Sequence, residues 1–577
     1  MLLKSKYIHA FVCMMALLLC VLVARPFVSM GVNDDWSYIW TARVLADTGH
    51  VVYNGWATAM LGWQIYLGAL FIKLFGFSFT AVRCSVLLVS LLCAALMQRV
   101  FVRTGASEGT ATIATLSLVL SPLFLPLSFS FMTDIPALFV VVICIYCCLR
   151  AYQSASDTGA IVWLVCAASS NVVGGTVRQI AWLGALIMVP SAVWCMRRRR
   201  YILPAGMALW ILGALSIVGW NHWFQVQPYA AIEKTFYEYH LNSAFVAASI
   251  ALVSITCLLP VMCAFVVANP IEKRSVRNFA AIAGAIAGSL LFWWAVASPQ
   301  YYFKSIPLGV RGNYVSVQGE NVGAILSVGP DVVPIVVRLL LTAAIVSALT
   351  SFAVCLIDLI GRRDSPIAPS ASTVSARRLD PSLSNASLMI LFAPFVMAYV
   401  FLILTRKTVF DRYFLPLQFI FTIGLVRVYR QTISEKLPRF CLLAVLLFAA
   451  YGVASMHDLF AFDRARLDAI NEVTAAGVPR TAIEGGFEYD GWTQLEQTGY
   501  VNEPRILLPP GAYKEWVPPK VPLDCIGYFR KYTPSIHPQL HLSHSLINCY
   551  KPSHFAPIIY KTWLLPRQRT IYILENR

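Results

Sequence analysis

The chain has 577 residues, of which 58% are hydrophobic and 13% charged, whereas a soluble domain carries about 25% charged residues. Many separate apolar runs approach the roughly 20 residues that cross a bilayer, which excludes an ordinary soluble protein and predicts a polytopic membrane protein. The net charge of +17 does not mark a nucleic-acid binder, because the basic residues gather between apolar runs, where they act as topology signals.

Lys4 and Lys6 precede the first run, near 8 to 29, and place its start inside; Val21-Leu22-Val23-Ala24-Arg25 offers no small-x-small cleavage site, so the run reads as an anchor. Further spans are expected near 80 to 102, 109 to 127, 136 to 152, 159 to 174, 180 to 196, 202 to 220, 243 to 268, 279 to 298, 338 to 360, 386 to 404, 413 to 430 and 439 to 456, about thirteen in all. These runs do not alternate apolar with polar residues, which excludes a barrel and leaves helices, whose backbone hydrogen bonds are internal. Basic residues return after every even-numbered span: Arg99 and Arg103; Arg150; Arg197, Arg198, Arg199 and Arg200; Lys273, Arg274 and Arg277; Arg362, Arg363, Arg377 and Arg378; and Arg427, Arg430, Lys436 and Arg439. Those loops are therefore cytoplasmic, and an odd number of spans puts the tail from 457 to 577 outside. The apolar stretch from 63 to 79 is read as an interfacial helix, since a crossing there would carry the Arg197 cluster outside. Thirteen of the fifteen cysteines fall in or beside spans, where a thiol behaves as a small hydrophobe; Cys144 and Cys147 belong to this group. Cys525 and Cys549 lie in the outer tail, as a disulfide or as two thiols.

The outer segments carry a different chemistry. In the first, Asn33 can cap a helix running to about Asp47, with Trp36, Ile39, Trp40 and Val44 on one face, the pattern of a helix lying in the interface. Asp34 and Asp35 occupy its first turn, where the helix dipole favours ionised carboxylates; two capping acids on a surface helix are the plain alternative. The second outer loop holds Thr133-Asp134-Ile135-Pro136, the third Gly174-Gly175-Thr176-Val177-Arg178-Gln179, and the last short one Arg406, Lys407, Asp411, Arg412 and Tyr413. Several loops thus bring carboxylates and cations to one side of the membrane. Lys304, Arg311 and Lys407 are weaker cation candidates, because long outer loops carry solvated charges.

Asp34-Asp35 followed by Tyr38, Ala42, Arg43, Leu45, Ala46 and Gly49, then Lys73-Leu74-Phe75-Gly76, Ala81-Val82-Arg83, Thr133-Asp134-Ile135-Pro136 and Arg412-Tyr413-Phe414-Leu415-Pro416, resemble the GT-C integral-membrane glycosyltransferases, particularly the bacterial branch related to protein O-mannosyltransferases and the lipid A aminoarabinose transferase. The resemblance implies an enzyme that moves a sugar from a polyprenyl-phosphate carrier to a glycan, lipid or protein acceptor outside the cytoplasmic membrane, with inversion. A carboxylate takes the proton of the attacking hydroxyl, and a cation meets the charge gathering on the departing phosphate. By resemblance Asp34 is the general base and Asp134 the second acid. Asp35 stands where the family commonly has Glu, which leaves its role unsettled. Arg178 with Gln179, and Arg412 with Tyr413, are the candidate binding groups for the donor phosphate, and each arginine also reads simply as an interfacial anchor.

The expected fold is therefore an all-α polytopic membrane protein of GT-C type over 1 to 456, with outer interfacial helices over about 33 to 79, followed by a small extracytoplasmic mixed α/β domain over 457 to 577, where Ile571-Tyr572-Ile573-Leu574 alternates as a strand. A segment from Glu484 to Trp492 reads as a turn. No cofactor and no metal site are expected; a divalent cation would suit the acids, but no Walker loop, His-Glu-x-x-His helix or paired Cys-x-x-Cys is present. A transporter or flippase of a lipid-linked or small solute, and a non-catalytic scaffold, are the rival readings. A transporter is expected to place its ionisable groups near mid-membrane in broken helices. The charge pattern predicts that reporter fusions at 270 and 365 report the cytoplasm and a fusion at 460 the outside; a cytoplasmic signal at 460 would overturn the topology.

Overall fold

The computed structural model describes residues 2–232, 250–251, 254–268, 324–327, 329–361, 384–406, 409–519, 522, 525–527 and 529–577. The helices are α1 (Leu2–Ala24), α2 (Asp35–Thr48), α3 (Gly62–Phe75), α4 (Phe79–Arg103), α5 (Glu108–Val119), α6 (Phe124–Ser128), α7 (Asp134–Tyr152), α8 (Asp157–Gly175), α9 (Val189–Cys195), α10 (Ile202–Gln225), α11 (Leu259–Val267), α12 (Ile335–Gly361), α13 (Asn385–Leu404), α14 (Leu415–Thr432), α15 (Phe440–Ala475) and α16 (Phe487–Thr498). Eight of them, α1, α4, α7, α8, α10, α12, α13 and α15, are long and apolar enough to cross a membrane. The chain is a mostly helical, multi-pass protein.

The elements follow local chemistry. Ser78, Ser107 and Ser156 each accept a hydrogen bond from a backbone N–H in the first turn of α4, α5 and α8, which satisfies one of the donors a helix start leaves open. The stretch expected to span from 109 to 127 is instead two pieces, α5 of 12 residues and α6 of 5, because Pro122 disfavours helix at Ser121. From 180 to 196 the chain passes through a 3₁₀ turn, a π-helical turn over Gly184–Met188 and then α9. The expected span at 279 to 298 lies outside the described residues, as do the first part of 243 to 268 and the candidates Lys304, Arg311 and Lys407.

Helix α2 differs from expectation in what covers it. Trp36 and Ile39 are fully buried rather than lipid-facing: Trp36 packs edge-on against Phe487 and Phe529, and Trp40 meets Trp492. The apolar face that reads as a membrane-surface stripe is a joint with the C-terminal region. By contrast α3 is two-faced, with Ile65, Ala69 and Ile72 buried and Tyr66, Leu70, Leu74 and Phe75 exposed.

Helix α15 does not end at 456. Its 36 residues extend about 54 Å at 1.5 Å per residue, well beyond a hydrocarbon core of roughly 30 Å, and its second half becomes part of the C-terminal region. There β1 (Ile483–Glu484), β2 (Leu540–Ser543), β3 (Tyr550–Pro552), β4 (Ile558–Lys561) and β5 (Gln568–Asn576) form a mixed sheet in the order β1-β2-β5-β3, with β4 also on β5; β1 and β2 are parallel, the other pairs antiparallel. The segment read as a turn from 484 to 492 becomes helical at Phe487, after Gly486 takes φ +99°, a left-handed value that glycine adopts without strain. Cys525 and Cys549 are joined by a disulfide.

Gly491 is where α16 meets Trp36. A Cβ there would lie 2.8 Å from two atoms of the buried indole. Gly491→Val is expected to overpack this joint and cost about 1–3 kcal/mol, read as a lower thermal-unfolding midpoint of the detergent-solubilised protein; an unchanged midpoint would show that the joint yields freely.

Candidate active site

The site is built on the short loop between α1 and α2. Asn33 sits at φ +55°, the left-handed region that Asn tolerates better than most residues, and its side-chain oxygen accepts from the Asp34 N–H at 2.8 Å. Its own N–H donates to Glu488 Oε1 of α16 at 3.1 Å. This turn points the two adjacent acids in opposite directions.

Asp35 faces inward and is fully buried. Its Oδ2 accepts from Arg83 Nε at 2.8 Å and from the Phe131 N–H at 3.2 Å, and its Oδ1 from the Val32 N–H at 2.6 Å and Arg83 Nη2 at 3.2 Å. Arg83, also fully buried, spends its remaining donors on the Val28 and Met30 carbonyls. The pair therefore clamps the first loop, α4 and the loop before α7 together.

Asp34 faces the other way. Its Oδ1 accepts from Trp56 Nε1 at 2.8 Å and its Oδ2 from Arg412 Nη2 at 3.2 Å. Arg412 Nε lies 3.5 Å from Asp134 Oδ2, so one guanidinium spans both acids. Asp134 Oδ1 takes a hydrogen bond from Arg178 Nη1, and the Arg178 guanidinium lies over the Tyr413 ring, 4.4 Å from its centroid, within cation–π range. Tyr399 donates to the Tyr413 carbonyl at 2.8 Å. Asp34, Asp134, Arg178, Arg412 and Tyr413, taken from four separate segments, are thus brought into one cluster. Gln179 is adjacent in sequence, but its amide donates to the Thr58 carbonyl at 3.1 Å and tethers the loop between α2 and α3.

Exposure separates the members of the cluster. The Asp34 side chain is 18% exposed and Asp134 1%; Arg178 is 20% exposed and Arg412 5%. Burial pushes the Asp34 carboxyl above the ordinary carboxylate range, against Arg412 and the Trp56 hydrogen bond, which hold it down, while Asp134 and Glu488 add to the rise. Desolvation disfavours the charged form, and here it outweighs the pairing. Tyr38, one turn along α2 from Asp34, has its phenol pushed well up by burial and then by Asp34, and so keeps its proton. Among the described residues no group of three or more His, Cys, Asp or Glu side chains is arranged to hold a metal ion; Asp34 and Asp134 share a guanidinium instead.

Four partners escaped the sequence reading: Arg83, Trp56, Glu488 and Arg466. Arg83 lies in a motif already singled out, but nothing in its neighbours says that it meets Asp35. Glu488 is held by Arg466 Nη2 at 2.9 Å, and Arg466 also pairs with Asp463 at 3.0 Å, all without exposure. No local pattern joins residues 33 and 488.

The fold and the cluster define a multi-pass membrane protein with a carboxylate–guanidinium site where loops at the ends of its helices and its C-terminal region meet. No family model and no curated protein matches the sequence. Among solved structures, the chain is similar to ArnT from Cupriavidus metallidurans in the apo state (14% identity, TM-score 0.39, 82% of this chain and 80% of that one) and bound to undecaprenyl phosphate (15%, 0.38, 81% and 80%). It is also similar to the apo Archaeoglobus fulgidus oligosaccharyltransferase (15%, 0.41, 82% of this chain), of which it spans 59%. All three TM-scores lie below 0.5, so the likeness is a loose one of path, and the functional reading below stands on the chain's own side chains.

The clamp and the cluster predict different outcomes for neighbouring acids. Asp35→Asn leaves Arg83 buried without its counter-charge and is expected to cost about 3–5 kcal/mol, whereas Asp34→Asn leaves the fold close to wild type. Thermal unfolding in detergent separates them, and equal midpoints for the two variants would refute the division of labour.

Proposed function

We propose that the protein is a membrane glycosyltransferase that moves a sugar from a polyprenyl-phosphate carrier to an acceptor hydroxyl or amine, with inversion at the anomeric carbon. The observation that carries this reading is Arg412 joined at once to Asp34 and Asp134. It sets a partly open carboxylate beside two guanidiniums at the ends of membrane helices, the level at which a lipid phosphate presents itself.

In this reading Asp34 removes the proton from the attacking acceptor, and its raised affinity for protons suits a general base better than an ordinary surface carboxylate. The leaving phosphate meets Arg178, the more exposed of the two guanidiniums. Arg412, held on both sides, keeps Asp34 ionised and in place and supplies positive charge as the glycosidic bond breaks. Asp134 orients both arginines. Asp35 is a positioning residue, and Tyr38 is a donor available to substrate oxygens. The sugar, hexose or pentose, and the nature of the acceptor follow from parts of the pocket beyond this cluster. The ionisable groups of the cluster sit at helix starts and loops rather than at mid-span, which favours transfer chemistry over a solute pathway. The Cys525–Cys549 disulfide, in a chain whose thirteen other cysteines form no disulfide, supports an oxidising compartment for the C-terminal region. With the charge pattern it favours a cytoplasmic-membrane protein with its N-terminus inside.

The test is transfer of labelled sugar from a panel of polyprenyl-phosphate donors by the purified protein. Asp34→Asn is expected to lower turnover about 10²–10⁴-fold, the usual contribution of a general base; undiminished transfer by the folded variant would rule out the assignment. Because a raised pKa means the base is lost as pH falls, kcat/KM should decline on the acid side at a pH above the ordinary carboxylate range. Trp56→Phe removes a hydrogen bond to the charged form, so it should move that decline to still higher pH.

A further inference from the structure

The turn between β4 and β5 carries Lys561-Thr562-Trp563-Leu564-Leu565-Pro566-Arg567-Gln568-Arg569, a run with three basic residues and no acid. Trp563 and Leu565 are exposed at 45% and 61%, and Ile559, on the same outward face of β4, at 66%. Three observations give this apolar tip a partner.

The first is its height. Trp563 stacks on the imidazole of His457 with centroids 4.0 Å apart, and the Trp563 and Leu564 N–H groups donate to Asp458 Oδ1 and Oδ2 at 2.7 and 3.0 Å. His457 lies about 26 Å along α15 from Phe440 at 1.5 Å per residue, close to the roughly 30 Å of a hydrocarbon core. Between the two, α15 leaves Leu442, Leu443, Leu446 and Leu447 exposed, so the tip continues the lipid-facing surface of a span at its outer end. The second is backbone satisfaction. Besides the two bonds to Asp458, Thr562 N donates to the Arg567 carbonyl at 3.0 Å, and Thr562 Oγ1 to the Leu564 and Pro566 carbonyls at 3.1 and 2.6 Å, while Pro566 has no N–H. With these groups bonded within the protein, the turn enters a poorly hydrated layer at a reduced desolvation cost. The third is the flanking charge: exposed Lys561 and Arg567 suit phosphate headgroups, and tryptophan favours the boundary between headgroups and acyl chains.

We propose that the β4–β5 turn is a membrane-inserting anchor, which sets Trp563, Leu565 and Pro566 into the headgroup and upper acyl layer of the bilayer that the helices cross, with Lys561 and Arg567 on lipid phosphates. It ties the sheet to the membrane surface at a point distinct from the α2–α16 joint. The occupant is the anionic phospholipid of that same bilayer. This inference is independent of the catalytic reading.

The test places the photo-reactive residue benzoylphenylalanine at 565, 559 or 551 of the full chain in nanodiscs of phosphatidylethanolamine and phosphatidylglycerol, with lipid adducts read by intact mass. Lys551 is exposed and pairs with Glu575 at the opposite end of β5, about 20 Å from the turn at 3.3 Å per residue. Lipid adducts at 565 should exceed those at 551 on the order of tenfold, with 559 between them, as burial of an anchor in the interface requires. Equal yields at 565 and 551, no lipid adduct at 565, or cross-links at 565 to a second copy of the protein would each overturn the proposal.

Discussion

The Asp35–Arg83 pair is the constraint on which the site depends. Two charges withdrawn entirely from water are tolerable only when every lone pair and proton finds a partner, and here the carboxylate collects four donors while the guanidinium also takes two carbonyls. Those partners come from the α1–α2 loop, α4 and the approach to α7. Satisfying one buried ion pair therefore brings Asp34 and Asp134, residues a hundred positions apart, to fixed places on either side of Arg412.

A second buried network does the same from the C-terminal side. Arg466 on the second half of α15 holds Glu488, and Glu488 accepts the Asn33 N–H. The left-handed Asn33 turn is thus secured from below by the membrane helices and from above by α16, with Trp36 wedged against Phe487, Phe529 and Gly491. The C-terminal region is in this way part of the scaffold of the α1–α2 loop rather than an appended lid. The chemistry proposed for the site uses what this rigidity provides, a carboxylate held near guanidiniums but left partly open on one side.

Much of this was legible in the chain. Long apolar runs bounded by arginines mark the helices, and Asp34, Asp134, Arg178, Arg412 and Tyr413 stand out because charged or polar groups in short loops between apolar runs need a reason to be there. Breaks were harder to see: Pro122 splits a stretch whose hydropathy is continuous, and α15 runs past 456 because helix propensity does not end where the lipid does. The Trp36–Ile39–Trp40 stripe has the spacing of a membrane-surface helix and is in fact buried against α16, since periodicity reports an apolar face without naming what covers it.

What the sequence by itself determined is the class of molecule, its helical segments, its charged short loops as a set and the tail's strand-forming end, all set by composition and short-range spacing. Only the tertiary structure decided that Asp34 and Asp35 have opposite fates, that Arg412 joins Asp34 to Asp134, and that Glu488 supports residue 33. The physical reason is that a carboxylate's role depends on its partners and its exposure, and these are supplied by residues tens to hundreds of positions away, which no local pattern encodes.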